Sequence, residues 1–335
     1  MGSQKAPLIS VIIPSHNGAD TLDRTLSAME ALALPEGGAE FILVDNASTD
    51  RTHEIMQSAR HALGATVIRE PRRGKSFALN TGIAAAKGPL LVFMDDDVLP
   101  EPNCLLGYIA AAERHPQAGV FAGQIRPDWT GTPPTWLRHL TDIGRSWGCT
   151  PISQPEEEVA FYQVKGANLM IRRSALGRMR FDVDRLNFTA TQSQGGSEDT
   201  ALAREISELG HAIIYLPSAC VYHIIQPSEM TVRAVFRRYA RIGRSGIMLE
   251  DQTAPLSAAQ IAMGSALHQR ARAGRKLASA VVKYLRGRSR DAAETMLDAA
   301  KCFGSARALD ELRMQRRVVP TPVPQVGGIQ TDRNI

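Results

Sequence analysis

Leu90-Leu91-Val92-Phe93-Met94-Asp95-Asp96-Asp97 is a run of five apolar residues leading straight into three carboxylates. An unbroken apolar run fits a strand covered on both faces, as in a parallel sheet, where no polar alternation is needed. The carboxylates fall at the strand's carboxyl end, where open parallel sheets bind ligands. Three adjacent Asp repel one another at neutral pH, so a cation lowers the cost of gathering them. The alternative is a solvated acidic turn, but the apolar strand in front favours a metal site.

Upstream, the same strand–loop–helix pattern repeats. Leu8 to Ile13 is β-rich and ends at the turn formers Pro14-Ser15-His16-Asn17-Gly18; Leu22, Leu26 and Met29 then keep helical spacing behind Asp20. Phe41 to Val44 reads as a second strand, ending in Asp45-Asn46-Ala47-Ser48-Thr49-Asp50. Ala65 to Arg69 reads as a short third strand, and Arg72-Arg73-Gly74-Lys75 leads into a helix with Phe77, Leu79 and Ile83. Four such units predict an α/β fold with a mostly parallel central sheet and helices on both faces. No GxGxxG follows the first strand and no GxxxxGK[ST] occurs, which argues against a dinucleotide-binding Rossmann domain and a P-loop NTPase.

Downstream the pattern loosens. Residues 119–125 can add a strand. Arg126 to Pro155, rich in Pro, Trp and Gly, reads as a functional loop or a disordered insertion. Tyr162 to Arg172 looks extended, and residues 186–196 are polar. Ser197-Glu198-Asp199 opens a helix that Gly210 stops; strand-like pieces then run to His223. From Thr231 the chain reads as helical, with Arg233, Arg237, Arg238, Arg241 and Arg244. Leu277, Val281, Tyr284 and Leu285 form an apolar stripe among Arg275, Lys276, Lys283 and Arg286. The stripe is expected to pack on the core with a solvated back; the alternative is an anionic membrane surface.

The 335 residues carry a net charge of +5, unevenly spread. Met230 to Arg290 holds 13 Lys/Arg and 2 Asp/Glu, while the rest holds 26 positive and 32 negative residues. The basic C-terminal third points to an anionic partner such as a diphosphate or a phospholipid surface. Nucleic acid is not expected, because no reader motif or aromatic platform accompanies the charge. Cys104, Cys149, Cys220 and Cys302 are scattered, suggesting reduced buried thiols in a cytoplasmic protein. Met1 to Pro7 lacks an apolar signal core, and no apolar run reaches the roughly 18 residues of a spanning helix.

Eight segments taken together resemble family 2 glycosyltransferases of GT-A fold. In order they are Ser10 to Asn17, Leu43 to Asp50, Gly74 to Gly82, Met94 to Asp97, Lys165-Gly166-Ala167-Asn168, Phe181-Asp182, Glu198-Asp199 and Val221-Tyr222-His223. They span roughly residues 8–250, and their order is more telling than any one of them. The resemblance implies a nucleotide-binding half merged with an acceptor-binding half, and inverting sugar transfer from a nucleotide donor. It implies that Pro14, His16 and Asn17 shape the nucleoside pocket, that Asp45 contacts the base, and that Ser48, Lys75 and Asn80 lie in the donor pocket. Asp95 and Asp97 occupy the DxD positions for ribose and metal, with Asp96 between them. Asp199 matches the catalytic base, with Glu198 beside it. His223 is implied as a further metal ligand, the alternative being a structural His. Arg241 and Arg244 either reach the diphosphate or form a solvated helix face. The implied cofactor is Mg²⁺ or Mn²⁺, and the implied partners are a nucleotide-sugar, expected to be a UDP-sugar, and a glycan or lipid-linked glycan acceptor. Two departures stand out: His16 replaces the usual Tyr, and the QxxRW motif of processive synthases is absent. That favours addition of one or a few sugars, in cell-surface polysaccharide or glycoconjugate synthesis.

The expected organisation is a GT-A domain over 1–228, divided near residue 125 into donor and acceptor halves. A basic helical extension over 229–317 follows, capable of peripheral membrane contact at the inner face, and then a flexible tail over 318–335. Two other functions stay open. One is a nucleotidyltransferase, although Pro14-Ser15-His16-Asn17 stands where its Gly-rich loop should be. The other is a non-catalytic nucleotide- or membrane-binding protein.

Overall fold

The computed structural model describes residues 7–184 and 197–318. The polar stretch 186–196 and the tail from 319 onward lie outside the described residues.

The four expected units are present. β1 (Ile9–Ser15), α1 (Leu22–Glu30), β2 (Ala39–Asn46), α2 (Thr52–Ala59), β3 (Thr66–Glu70), α3 (Lys75–Ala85) and β4 (Leu90–Met94) alternate, and β3-β2-β1-β4 pair in parallel. All five residues of β4 are buried, as are all seven of β1. Ile12 and Phe93, fully or almost fully buried, pack with Leu79 and Ile83 of α3 on one face; Val11 and Val92 pack with Leu22, Leu26 and Met29 of α1 on the other. Burying each such side chain contributes about 1.5–3 kcal/mol. Pro14 is tolerated inside a central strand because pairing of β1 with β4 ends at Ile12, so its missing N–H costs no ladder bond on that side.

The second half inserts an antiparallel strand. The elements are β5 (Val98–Pro100), α4 (Cys104–Arg114), β6 (Ala118–Trp129), α5 (Thr135–Asp142), β7 (Glu157–Glu158), β8 (Asn168–Arg172), α6 (Arg173–Leu176), α7 (Glu198–Glu208) and β9 (Ala212–Ile225). The sheet continues β4-β8-β6-β9-β5, with β7 beside β9. β8 runs against both β4 and β6, while β6 and β9 are parallel to each other. Buried Asn168 ties the junction: its side chain donates to Gln124 and Ala219 carbonyls at 2.9 and 2.8 Å and accepts from the Tyr108 hydroxyl at 2.8 Å. A Cβ at Gly123 would strike that amide, so only glycine fits there.

Arg126 to Pro155 is neither loop nor insertion throughout. β6 runs on to Trp129, α5 follows, and Leu137, Leu140, Trp147 and Cys149 are buried. These residues form a core with Ile225 and with Val235, Tyr239, Leu297 and Ala300 from the C-terminal helices. Periodicity missed this because α5 is only eight residues long and Trp147 and Cys149 lie on irregular backbone. The two strand-like pieces before His223 are one strand, β9, with a register shift opposite Gly123 and Gln124.

α8 (Val232–Thr253), α9 (Met263–Leu285) and α10 (Ser289–Val318) complete the described chain. The Thr231 hydroxyl caps α8 by accepting from Ala234 N–H at 3.2 Å. α8 and α10 approach closely: a Cβ at Gly304 or Gly243 would collide with the backbone of Ala240 or Lys301. The expected packing of α9 is overturned. Its buried face carries Ala266, Ala273 and Ala280, whereas Val281, Tyr284 and Leu285 are 57%, 67% and 77% exposed. Small residues let α9 lie close to α10, and the larger apolar ones face outward. Among the described residues no helix is long and apolar enough to cross a membrane.

Candidate active site

The carboxyl ends of β1, β2 and β4 form one rim, because the three strands are parallel and in register. At the first loop Asn17 adopts a positive φ of 53°. Its N–H donates to Ser48 Oγ at 3.1 Å and its side-chain oxygen accepts from Thr49 N–H at 2.8 Å, clasping the first loop to the second. His16 Nδ1 lies 2.7 Å from the Asn46 carbonyl oxygen, which fixes it as the donor; His16 Nε2 is buried with no partner. An unpaired acceptor at this edge suits a ligand N–H. Asp45 is fully buried; it accepts from Ser48 N–H at 3.0 Å and from Arg69 Nε at 3.1 Å. The Arg69 side chain is 63% exposed.

The three Asp residues diverge. Asp95 faces Lys75, with Nζ 2.5 Å from Oδ1. Asp96 turns back to accept from the Ser15 hydroxyl beneath Gly18, where a Cβ would collide with both. Burial and the neighbouring Asp97 charge push the Asp96 carboxyl up to about 7. Asp97 meets His223, Nε2 to Oδ2 at 3.1 Å, because β5 pairs with β9 so that Val98 opposes His223. Burial works against a charged His223, yet the Asp97 charge and hydrogen bond outweigh it and raise its pKa.

Asp199 lies in the first turn of α7, where the helix N-terminus favours negative charge. It accepts from Gly166 N–H at 2.5 Å and from Thr200 N–H at 2.7 Å. Gly166 stands two residues before Asn168, which pairs with Met94 at the end of β4. That contact brings Asp199 to the rim that carries Asp95. Burial disfavours the Lys75 ammonium, but attraction from Asp95, Glu198 and Asp199 raises its pKa. Glu198 is buried with Oε2 unpartnered; burial first, then the Asp199 charge, pushes it up to about 7.

Other expected residues lie differently. The Asn80 amide is engaged on both sides by the Phe181 backbone, at 2.9 and 3.0 Å, and so clamps α3 to the segment before residue 185. Arg244 pairs with Glu311 of α10 at 2.7 Å. Arg241 is largely buried, which lowers its pKa, with Arg238 adding repulsion. Neither Arg238 nor Trp147 was among the residues expected at the site. The Arg238 guanidinium sits 4.7 Å from the centre of the Trp147 ring, and the Trp147 carbonyl accepts from His223 Nδ1. Its signal is purely tertiary, since Trp147 comes from the irregular segment. Glu70 was missed too: it receives both Arg72 and the Thr81 hydroxyl and so braces the turn that presents Lys75.

For a divalent cation the donor set is partial. Among the described residues no three His, Cys, Asp or Glu side chains form a ready-made metal cluster. Asp97 Oδ1, however, is a buried carboxylate oxygen with no partner. With Nδ1–H committed to a carbonyl, deprotonated His223 would turn its Nε2 lone pair toward the same point. Two protein donors with the rest supplied by diphosphate oxygens and water is a normal arrangement for Mg²⁺ or Mn²⁺. The residues therefore fit the ion.

Comparison with known proteins bears on the family and the fold. A family model described as Glycosyl transferase family 2 matches residues 10–180. The protein described as probable glycosyltransferase YdaM of Bacillus subtilis is 28% identical over 225 residues, covering 65% of this chain and 51% of that protein. Validoxylamine A glucosyltransferase of Streptomyces hygroscopicus subsp. jinggangensis is 33% identical over 119 residues, covering 35% of this chain and 28% of that protein. The chain thus spans about half or less of the length of these curated relatives. Among solved structures, the mannosyltransferase PcManGT from Pyrobaculum calidifontis, in complex with GDP-Man and Mn²⁺, superposes with a TM-score of 0.57 at 19% identity, covering 95% of this chain and 77% of that one. That likeness establishes a shared α/β fold. The matched segment takes in the rim from β1 to β8, and this chain belongs to glycosyl transferase family 2.

Proposed function

We propose that the protein transfers a sugar from a nucleotide-sugar, with UDP-sugars the first choice, to a hydroxyl of a glycan or lipid-linked glycan, with inversion. The observation that carries this is Asp199, tied to Gly166 next to the end of β4, at the rim where Lys75 holds Asp95 and His223 meets Asp97. A single carboxylate facing the acceptor suffices for one in-line displacement, which inverts the anomeric carbon. Asp199 Oδ2 and Oδ1 accept from the Gly166 and Thr200 backbone N–H groups, so the carboxylate is held in place. It accepts the hydroxyl proton as the acceptor oxygen attacks, an effect of about 10²–10⁴-fold. His16 Nε2, Asn17, Ser48 and Asp45 line the end of the rim suited to a nucleobase and ribose.

Asp97 and His223 would hold a divalent cation, with Asp95 beside them. When bound, the ion neutralises charge growing on the departing nucleoside diphosphate. Lys75 and Arg238 supply further positive charge near the same carboxylates. The relative whose structure holds GDP-Man and Mn²⁺ motivates including GDP-sugars in any donor screen. The test is transfer from UDP- and GDP-sugars with Mn²⁺, with EDTA, and with Asp97→Ala. Loss of turnover on chelation and in the variant is expected; undiminished turnover in both removes the metal from the reaction.

A further inference from the structure

The outward face of α9 is built differently from that of an ordinary solvated helix. Leu267, Ala271, Gly274, Ala278, Val281 and Leu285 recur at alternating four- and three-residue steps, which places them on one side of the helix. All six are exposed, the three large ones strongly: Leu267 by 52%, Val281 by 57% and Leu285 by 77%. The side that packs on α10 is a separate stripe, the alanines 266, 273 and 280. From Leu267 to Leu285 the exposed apolar face runs about 27 Å at 1.5 Å per residue.

Arg272, Arg275 and Arg286 flank this face and are exposed. The other cations of α9 have partners on α10: Arg270, itself 47% exposed, pairs with Asp310, Lys276 pairs with Asp298, and Lys283 reaches the Thr295 hydroxyl. The sorting is by pairing, with three cations engaged by α10 and three exposed arginines left beside the apolar stripe. Tyr284, 67% exposed at the helix end, adds an amphipathic ring of the kind that settles at a lipid headgroup level.

From this sorting we infer that α9 docks in the plane of an anionic phospholipid bilayer, its Leu267–Leu285 face entering the headgroup boundary and its outer arginines meeting lipid phosphates. Charge decides between occupants. A second copy would bring Arg272, Arg275 and Arg286 against themselves or against an apolar strip, and neither compensates them. A neutral protein groove would take the apolar face but leave the arginines unpaired. An anionic bilayer satisfies both components at once. The inference stands apart from the transfer reaction, since it concerns a face whose residues have no part in the rim.

The experiment is co-sedimentation of the full chain with vesicles of phosphatidylglycerol and phosphatidylcholine, against pure phosphatidylcholine, without any substrate. Two variants are compared: Val281→Ser with Leu285→Ser, and Arg272→Gln with Arg275→Gln and Arg286→Gln. Every substituted side chain is exposed, so both should keep the parent's circular dichroism and melting curve. Binding to the anionic vesicles and at least tenfold weaker binding to the neutral ones is expected, on the order of fivefold per arginine. Each variant should lose most of the binding. The inference is overturned if the wild type does not sediment with anionic vesicles, or if either variant binds as well as the wild type. It is equally overturned if ultracentrifugation shows a dimer that the Val281/Leu285 variant dissolves while vesicle binding persists.

Discussion

Lys75 Nζ lies 2.5 Å from Asp95 Oδ1, joining the start of α3 to the end of β4 across the rim. The two side chains are each about a quarter exposed, so the pair is neither a screened surface contact nor a sealed core one. It gathers Asp95, Glu198 and Asp199 around one cation, which alone would repel one another.

Lys75→Met should therefore leave three carboxylates uncompensated. A loss of about 1–3 kcal/mol in unfolding free energy is expected, together with weaker donor binding. Lys75→Arg should recover most of the stability. Urea unfolding and donor titration check both; a Met variant as stable as the wild type would show that the cation is not what assembles the site.

Glu70 and Glu198 should give opposite pH signatures. Hydrogen bonds from Arg72, with Thr81 adding to them, hold the Glu70 carboxyl near 2, below its ordinary 4.5. Its stabilisation is present above pH 4.5 and is lost as pH falls toward 2. Glu198 is pushed up to about 7 from 4.5, so its folded form is favoured while protonated and stability falls as pH rises through that window. Unfolding midpoints from pH 3 to 8 should show Glu70→Gln with a shallower acid limb and Glu198→Gln with a shallower decline toward pH 8.

Gly304→Ala should loosen the crossing of α10 on α8, because the new methyl meets the Ala240 carbonyl rather than a movable side chain. A loss of about 1–3 kcal/mol is expected. Gly246→Ala, in the same helix pair but with nothing within 4 Å, should gain about 0.5–1 kcal/mol from helix propensity. Thermal unfolding of the two variants measures the contrast.

What the sequence made legible follows from which signals are local. Leu90 to Met94 announced a buried parallel strand, and the matching loops after Ile13 and Val44 placed the rim, because strand direction alone decides which loops share an edge. Asp199 could be reached only through likeness to a family; its position depends on the Gly166 N–H, a contact between residues far apart in the chain. The stacking of Arg238 on Trp147 was not legible for the same reason. The stripe on α9 misled because Leu277, Val281, Tyr284 and Leu285 satisfy helical spacing, and spacing does not say whether a face meets α10 or solvent. The alanines at seven-residue intervals were the better sign of close helix packing.

The central claim is that Asp199 takes the acceptor proton at the rim shared with Asp95 and Asp97. Its most direct test is single-turnover transfer by Asp199→Asn, with donor affinity measured on the same sample. The amide keeps the shape but cannot act as a base, so the transfer rate should fall about 10²–10⁴-fold while donor binding stays within about twofold. Wild-type transfer by the Asn variant would contradict the account.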